Sequence, residues 1–394
     1  MHFCILGSHP ALSQAELFSV LPDIKNTKLA DKMLVLDSKN WDGDLLMDTL
    51  GGTVKLGDII HSGPVHQLNA KLIANLLAPK SPKHDAKRSL DFGLTIYGSK
   101  AEQKKFFRLP IQLKKELKTL GYSVRWVTGK GSEPLSPAAV AKCKLCESPN
   151  ADICITIADD TVFIGKTARV QDADAWSKRD YDRPKRDSKN GMLPPKLARM
   201  MVNLAQTPKD GILLDPFCGS GTILMEAAIA TGTKQIIGSD IEQKQIDYTD
   251  KNNNWLLREK IISPADHKRF RTFTADVRDL KNFLQPKSID VVVTEGYLGP
   301  PLQGDESQKQ LEANAKEVQR LWIDTLTALR PLIKKTSLLV IVTPKYTTRR
   351  GSASVDLNPH LKTLGYQLSA NSVKLAYGRE NQFVKRNIHI LTLS

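Results

Sequence analysis

The chain has 394 residues, 41% of them hydrophobic and 25% charged, the make-up of a globular protein long enough for two or three domains. Its 57 Lys and Arg against 42 Asp and Glu give a formal charge of +15, which favours a polyanionic partner and nucleic acid above all. The sequence has no apolar run of membrane-spanning length and no basic flank or cleavage site around its apolar start. Its few cysteines exclude a disulfide scaffold, so a reducing, cytoplasmic protein is expected.

Residues 1–60 alternate short apolar runs with helical periodicity. Residues 3–7 read as a strand, and 13–21 as a helix opened by Ser13 with Glu16 as its capping-box partner. Residues 33–37 read as a strand, 41–50 as a helix stopped by Gly51-Gly52, and 54–60 as a closing strand. This is a small ferredoxin-like α+β unit without chemistry of its own. Residues 61–168 form a second, more basic unit. In it, 90–97 and 122–127 read as strands, and the stretch between them sets Lys100, Lys104, Lys105, Arg108, Lys114 and Lys118 among apolar residues at helical spacing. One lysine-rich helix face is usually just solvated. Here basic residues recur over several elements, which makes Lys104, Lys105, Arg108 and Arg125 candidate RNA contacts. No aromatic stacking platform stands out, so recognition of folded RNA by shape and phosphate is expected. Cys143-Lys144-Leu145-Cys146 is a lone CxxC without a second pair, and no metal site is expected from it. Residues 154–158 and 161–165 read as a hairpin around Asp159-Asp160.

Residues 169–190 are charged and poor in apolar residues, the composition of a linker. Their Arg179, Arg183 and Arg186, set among Trp176 and Tyr181, suit a segment lying across an RNA entrance. From 191 to 394 strands and helices alternate after an opening helix with prolines in its first turn. Strands are expected at 211–214, 235–240, 270–276, 289–294 and 338–342, with two more near 366–376 and 388–393. That is a Rossmann-like α/β domain, its sheet mixed but mainly parallel.

The chemistry gathers where these strands end. The first runs into Asp215-Pro216-Phe217-Cys218-Gly219-Ser220-Gly221-Thr222 and then a helix, the strand–turn–helix geometry that brings a nucleotide-like ligand against backbone N–H groups. The turn has neither the GxGxxG of a dinucleotide site nor the GxxxxGK[ST] of a phosphate loop. Its leading acid repels pyrophosphate and attracts a cation, which selects S-adenosylmethionine over NAD and ATP. Asp240-Ile241 closes the second strand, where an acid commonly holds a ribose diol, and Asp276-Val277 closes the third, where an acid can accept from an adenine amine. Taken singly each acid also makes a good helix cap.

The turn, the Asp276 segment and residues 179–205 together resemble the amino-methyltransferases that carry a THUMP RNA-binding domain, in particular the archaeal and eukaryotic tRNA guanine-10 N2-methyltransferases. Residues 3–7, 50–55, 121–125 and 377–384 are similar too, so the resemblance runs over nearly the whole chain. It implies a THUMP-like unit at 61–168 and a guanine N2 target in tRNA. Eukaryotic members work with a small activating subunit, which makes such a subunit a candidate partner. One stretch departs from the family. Where members have Asp or Asn, then Pro-Pro and an aromatic, this chain has Thr294-Glu295-Gly296-Tyr297-Leu298-Gly299. One alignment puts Glu295 at the acid, and another puts Tyr297 at the aromatic and Thr294 at the acid. The resemblance implies Glu295 and the Gly296 carbonyl as acceptors for the target amine, with Tyr297 stacked on the base. Two rival readings are a DNA amino-methyltransferase and a catalytically silent tRNA-binding homologue.

Overall fold

A computed structural model describes residues 1–78, 89–129, 133–186, 192–369 and 375–394. The chain divides into two compact units, Met1–Pro10 with Leu21–Ala175 and Ala11–Val20 with Trp176–Ser394. No helix among the described residues is long and apolar enough to cross a membrane.

The first unit holds β1 (His2–Leu6), β2 (Lys25–Ala30), β3 (Met33–Asp37), β4 (Thr53–Pro64), β5 (Ser89–Tyr97), β6 (Ser123–Trp126), β7 (Ala151–Ala158) and β8 (Thr161–Val170). They make one sheet in the order β2-β3-β1-β4-β8-β7-β5-β6. The boundary expected at 60 falls inside β4, which pairs with β1 on one side and β8 on the other. Residues 1–60 and 61–168 therefore contribute to a single sheet. The β7–β8 hairpin turns on Asp159 and Asp160, at φ 49° and 57°, the two left-handed residues that a type I′ turn requires. The basic stretch is broken at Phe106-Phe107-Arg108 into helices Lys100–Lys105 and Leu109–Thr119, the second with Pro110 in its first turn. Ser13 is not a cap. The helix begins at Pro10, which needs no N–H there, and Ser13 is buried inside Pro10–Val20.

The second unit holds β9 (Ile212–Asp215), β10 (Gln235–Asp240), β11 (Phe270–Thr274), β12 (Ile289–Glu295), β13 (Ile333–Thr348), β14 (Gly351–Ser354), β15 (Tyr366–Leu368), β16 (Leu375–Tyr377) and β17 (Val384–Leu393). The order is β11-β10-β9-β12-β13-β17-β15, with β14 on β13 and β16 on β17. The strands β9 to β13 run parallel, and β17 and β15 return antiparallel. Successive residues of a strand point to opposite faces. Leu213 and Val291 accordingly pack under helices Pro195–Leu204 and Thr222–Ala230, whereas Leu214 and Val292 pack under helix Gln308–Leu329 with Trp322. Both faces are covered, which is why these strands read as unbroken apolar runs. The chain moves outward from β9 through β10 to β11 and then returns to lay β12 on the other side of β9. The crevice at that reversal, beyond the carboxyl ends of β9 and β12, is where such sheets bind ligands.

The charged segment is packed rather than slack. β8 runs on to Val170, and helix Ala173–Ser177 leads into a wider helical turn at Lys178–Asp182. Trp176 is buried, and the guanidinium of Arg179 lies 4.1 Å from its ring. Arg179 and Arg199 share Glu226, each at 2.8 Å. A buried indole and a shared carboxylate supply what a count of charges hides, because the arginine stems are apolar and their heads are paired.

Candidate active site

A cavity of about 910 Å³ opens at the carboxyl ends of β9, β10 and β12. Asp215 lies at its floor, wholly buried. The Thr294 hydroxyl and the Phe217 N–H donate to its Oδ1 at 2.7 and 3.2 Å, while Oδ2 accepts no hydrogen bond among the described residues. Burial lifts the Asp215 carboxyl to about 7; the Thr294 and Phe217 bonds oppose the shift, and the charges of Asp240 and Glu295 add to it. An acid in that state gains from a cationic neighbour.

The turn after Asp215 is fixed from outside. Thr249 donates to the Gly219 carbonyl at 2.7 Å and Asn252 to the Ser220 carbonyl at 2.8 Å. Gly219 sits at φ +52°, and a Cβ built on it meets nothing within 4 Å, so its bare face opens towards the cavity. Gly221, at φ +84°, would bring a Cβ within 2.9 Å of Thr249. Gly221→Ala is expected to cost about 1–3 kcal/mol through the left-handed backbone alone, which urea melts of the variant and wild type would measure.

Asp240 faces the same cavity and has a structural task as well. Its Oδ2 accepts from Gly219 N–H and its Oδ1 from Glu242 N–H, both at 3.0 Å. Burial raises its pKa, with those backbone bonds opposing. Ile241, 66% exposed, and Val277 line the wall beyond it, the spacing of two apolar faces that can hold a flat ring. Asp276 is bound by Arg278, from Nε to Oδ1 at 2.9 Å and from Nη2 to Oδ2 at 2.5 Å, which holds its pKa low. Sequence reading missed Arg278, although it stands only two positions from Asp276.

The far half of the cavity is the stretch that departs from the family pattern. Thr294 is buried and donates to Asp215, so Glu295 is the side chain that the cavity meets at the end of β12. Glu295 is not a lone acceptor, as the sequence reading had it. Arg386 on β17 grips it, Nε to Oε1 at 2.5 Å and Nη2 to Oε2 at 3.2 Å, with both side chains about nine-tenths buried. The pair spans β13, where Glu295 lies beside Val342 and Arg386 faces Pro344. A carboxylate has about four lone-pair positions, so an arginine fork on two of them leaves others for a ligand. Gly296 lies against Trp322, whose Cζ2 would be 2.9 Å from an added Cβ, and Tyr346 donates to the Leu298 carbonyl at 2.8 Å. The loop is held down, and Tyr297 stands 46% exposed at the rim.

The other expected contacts separate by unit. In the first, Lys104, Lys105 and Arg108 are exposed on the broken helix, and Arg125 is exposed but paired with Asp91. Phe107, which the sequence reading passed over, is 60% exposed with the Arg108 guanidinium 5.3 Å from its ring. In the second unit Arg186 is exposed beside Tyr181. Arg179 and Arg183, expected on an RNA face, are instead buried, at 7% and 2%.

Comparison with known proteins places the site in context. Residues 183–350 match the family model described as an RMKL-like methyltransferase domain, and 96–251 match one described as a DNA methylase. A tRNA (guanine(10)-N2)-dimethyltransferase of Methanocaldococcus jannaschii is 30% identical over 203 residues, 50% of this chain and 50% of that protein. One of Methanothermobacter thermautotrophicus is 34% identical over 30% of this chain and 32% of its own length. The chain thus spans about half the length, or less, of these curated relatives. Among solved structures, TrmN from Thermus thermophilus is similar over 100% of both chains at a TM-score of 0.53 and 16% identity. A possible methylase from Clostridium difficile covers 100% of this chain and 98% of its own at 0.51 and 18%. At these identities the likeness is one of fold, and it agrees with the Rossmann-like α/β architecture expected from the sequence.

Proposed function

We propose that this chain, whose residues 183–350 are similar to a methyltransferase domain, transfers a methyl group from S-adenosylmethionine to an exocyclic base amine in RNA. The substrate we favour is guanine N2 of tRNA, position 10 by the relatives' names. The observation that carries the reading is one cavity with two halves. Asp215, Gly219 and Asp240 form one, and Glu295, Gly296 and Tyr297 form the other.

The cofactor fits the side chains present. Asp215 is a buried acid that gains from an ammonium, the bare face of Gly219 leaves room for the amino-acid end, and Asp240 and Asp276 keep acceptor positions free of their own partners for ribose and adenine. Bound there, S-adenosylmethionine supplies an electrophilic methyl on a sulfonium. Glu295, fixed by Arg386, and the Gly296 carbonyl are the acceptors for the two N–H groups of the target amine. Accepting both directs the nitrogen lone pair out of conjugation with the ring and along one line. Tyr297 at the rim offers a ring for the base to lie on.

The first unit is the RNA grip in this reading, a THUMP-like role, and the compartment is cytoplasmic. A small activating subunit is a further candidate partner. Replacing Lys104, Lys105 and Arg108 together by Ala is expected to weaken tRNA binding about tenfold or more and to flatten its log–log salt dependence by roughly 2–3. Filter binding across a salt series measures both.

The DNA methylase match over 96–251 keeps DNA as a second substrate to test. Labelled methyl transfer to bulk tRNA and to duplex DNA, followed by mass spectrometry of the nucleosides, decides between them. N2-methylguanosine from tRNA is the expected product. Methylated adenine or cytosine from DNA overturns the choice of substrate, and no transfer to either overturns the enzyme.

A further inference from the structure

Arg183 is the buried charge that this mechanism leaves unused. Its side chain is 2% exposed, and Nη1 donates to the Thr222 hydroxyl at 2.6 Å. Nε and Nη2 are both buried and meet no acceptor among the described residues. Asp180 and Glu226 lie close enough to favour its charge and Arg186 close enough to oppose it, but no carboxylate is hydrogen-bonded to it. Glu226 is already taken by Arg179 and Arg199.

The place it occupies gives this a meaning. Thr222 lines the cavity, follows Gly221, and is the first residue of the helix Thr222–Ala230. The opening N–H groups of a helix have no partner within it and carry partial positive charge. A guanidinium with two unfilled donors and a helix N-terminus therefore meet at one side of the glycine turn, and Asp215 lies before the turn on the other. A ligand that presents an anion and a cation a few bonds apart matches both; a phosphate matches only one and is repelled by Asp215.

We propose that Arg183 and the first turn of Thr222–Ala230 form the subsite for the carboxylate of the cofactor's amino-acid end, while Asp215 takes its ammonium. The inference rests on the S-adenosylmethionine reading and adds to it the residue that recognises the α-amino acid as such. It also reassigns Arg183 from RNA to cofactor.

The test is calorimetric binding by the full-length protein of S-adenosylmethionine and of decarboxylated S-adenosylmethionine, which keeps the nucleoside, the sulfonium and the amine. Wild type should prefer the carboxylate-bearing ligand by about 30-fold, the size of a charge-assisted hydrogen-bonded pair. Arg183→Met should shrink that preference to about threefold or less while binding the decarboxylated ligand within about threefold of wild type. Arg183→Lys keeps the buried cation but loses the planar fork, and should fall between. It also serves if the Met variant does not fold. Unchanged preference in the variant that folds overturns the subsite, as does equal binding of the two ligands by wild type. Wild type that binds neither ligand overturns the cofactor reading itself, a result distinct from those two.

Discussion

Asp215→Asn should move stability and cofactor binding in opposite directions, which no purely structural acid would do. In the unliganded protein the carboxyl is lifted by burial from 3.8 to about 7, so between those values the folded state holds a proton that the unfolded chain has released. The sign follows: the stabilisation is present in full below the unfolded pKa and is lost as pH rises through about 7. Asn carries no such charge and can still accept from Thr294. The variant should therefore match wild type in melting temperature at pH 4 to 5 and exceed it at pH 8. Binding of a cationic amino-acid end needs the ionised form. Wild-type affinity for S-adenosylmethionine should thus fall about tenfold per pH unit below 7 and level off above it. In Asp215→Asn the affinity should be lower by about 10²-fold at pH 8 and lose that slope. Thermal melts and calorimetry over the same pH series read both, and a variant that binds with the wild-type pH profile removes Asp215 from the site.

The Glu295–Arg386 pair carries the second large effect. Arg386→Met leaves a buried carboxylate without its partner, an error that typically costs about 3–5 kcal/mol. Glu295→Gln should lower methyl transfer by about 10²–10³-fold, the usual price of one oriented acceptor or donor at a reacting centre, with cofactor affinity unchanged. The double variant separates the two roles. With both charges gone, urea stability should return to within about 1 kcal/mol of wild type, as replacing a whole buried pair often does, while transfer stays lost. Recovery of transfer along with stability would show that the acid serves the fold alone.

Much of the second unit was legible in the sequence because its signals are local. The apolar run ending in Asp215 and the two glycines that follow specify strand, turn and helix within a dozen residues, and burial on both faces removes any alternation from the strands. Where a local signal was followed too far, the fold corrected it. Ser13 and Glu16 have capping-box spacing, yet a helix starting at Pro10 buries both residues, and Asn203 donates to Glu16 at 2.7 Å. The stretch 169–190 has a linker's composition, yet Trp176 turns its arginines into packing.

By itself the sequence determined the parallel α/β unit, the acid-led turn, the acids Asp240 and Asp276 at later strand ends and the departure at Glu295. Each depends on residue types a few positions apart, which backbone geometry converts directly into place. Only the tertiary structure decided the partners of those charges. Arg386 reaches Glu295 from 91 positions away because β17 returns antiparallel beside β13, and Arg183 reaches Thr222 across 39 because Trp176 anchors its segment. Strand order and burial set those meetings. No spacing along the chain encodes them.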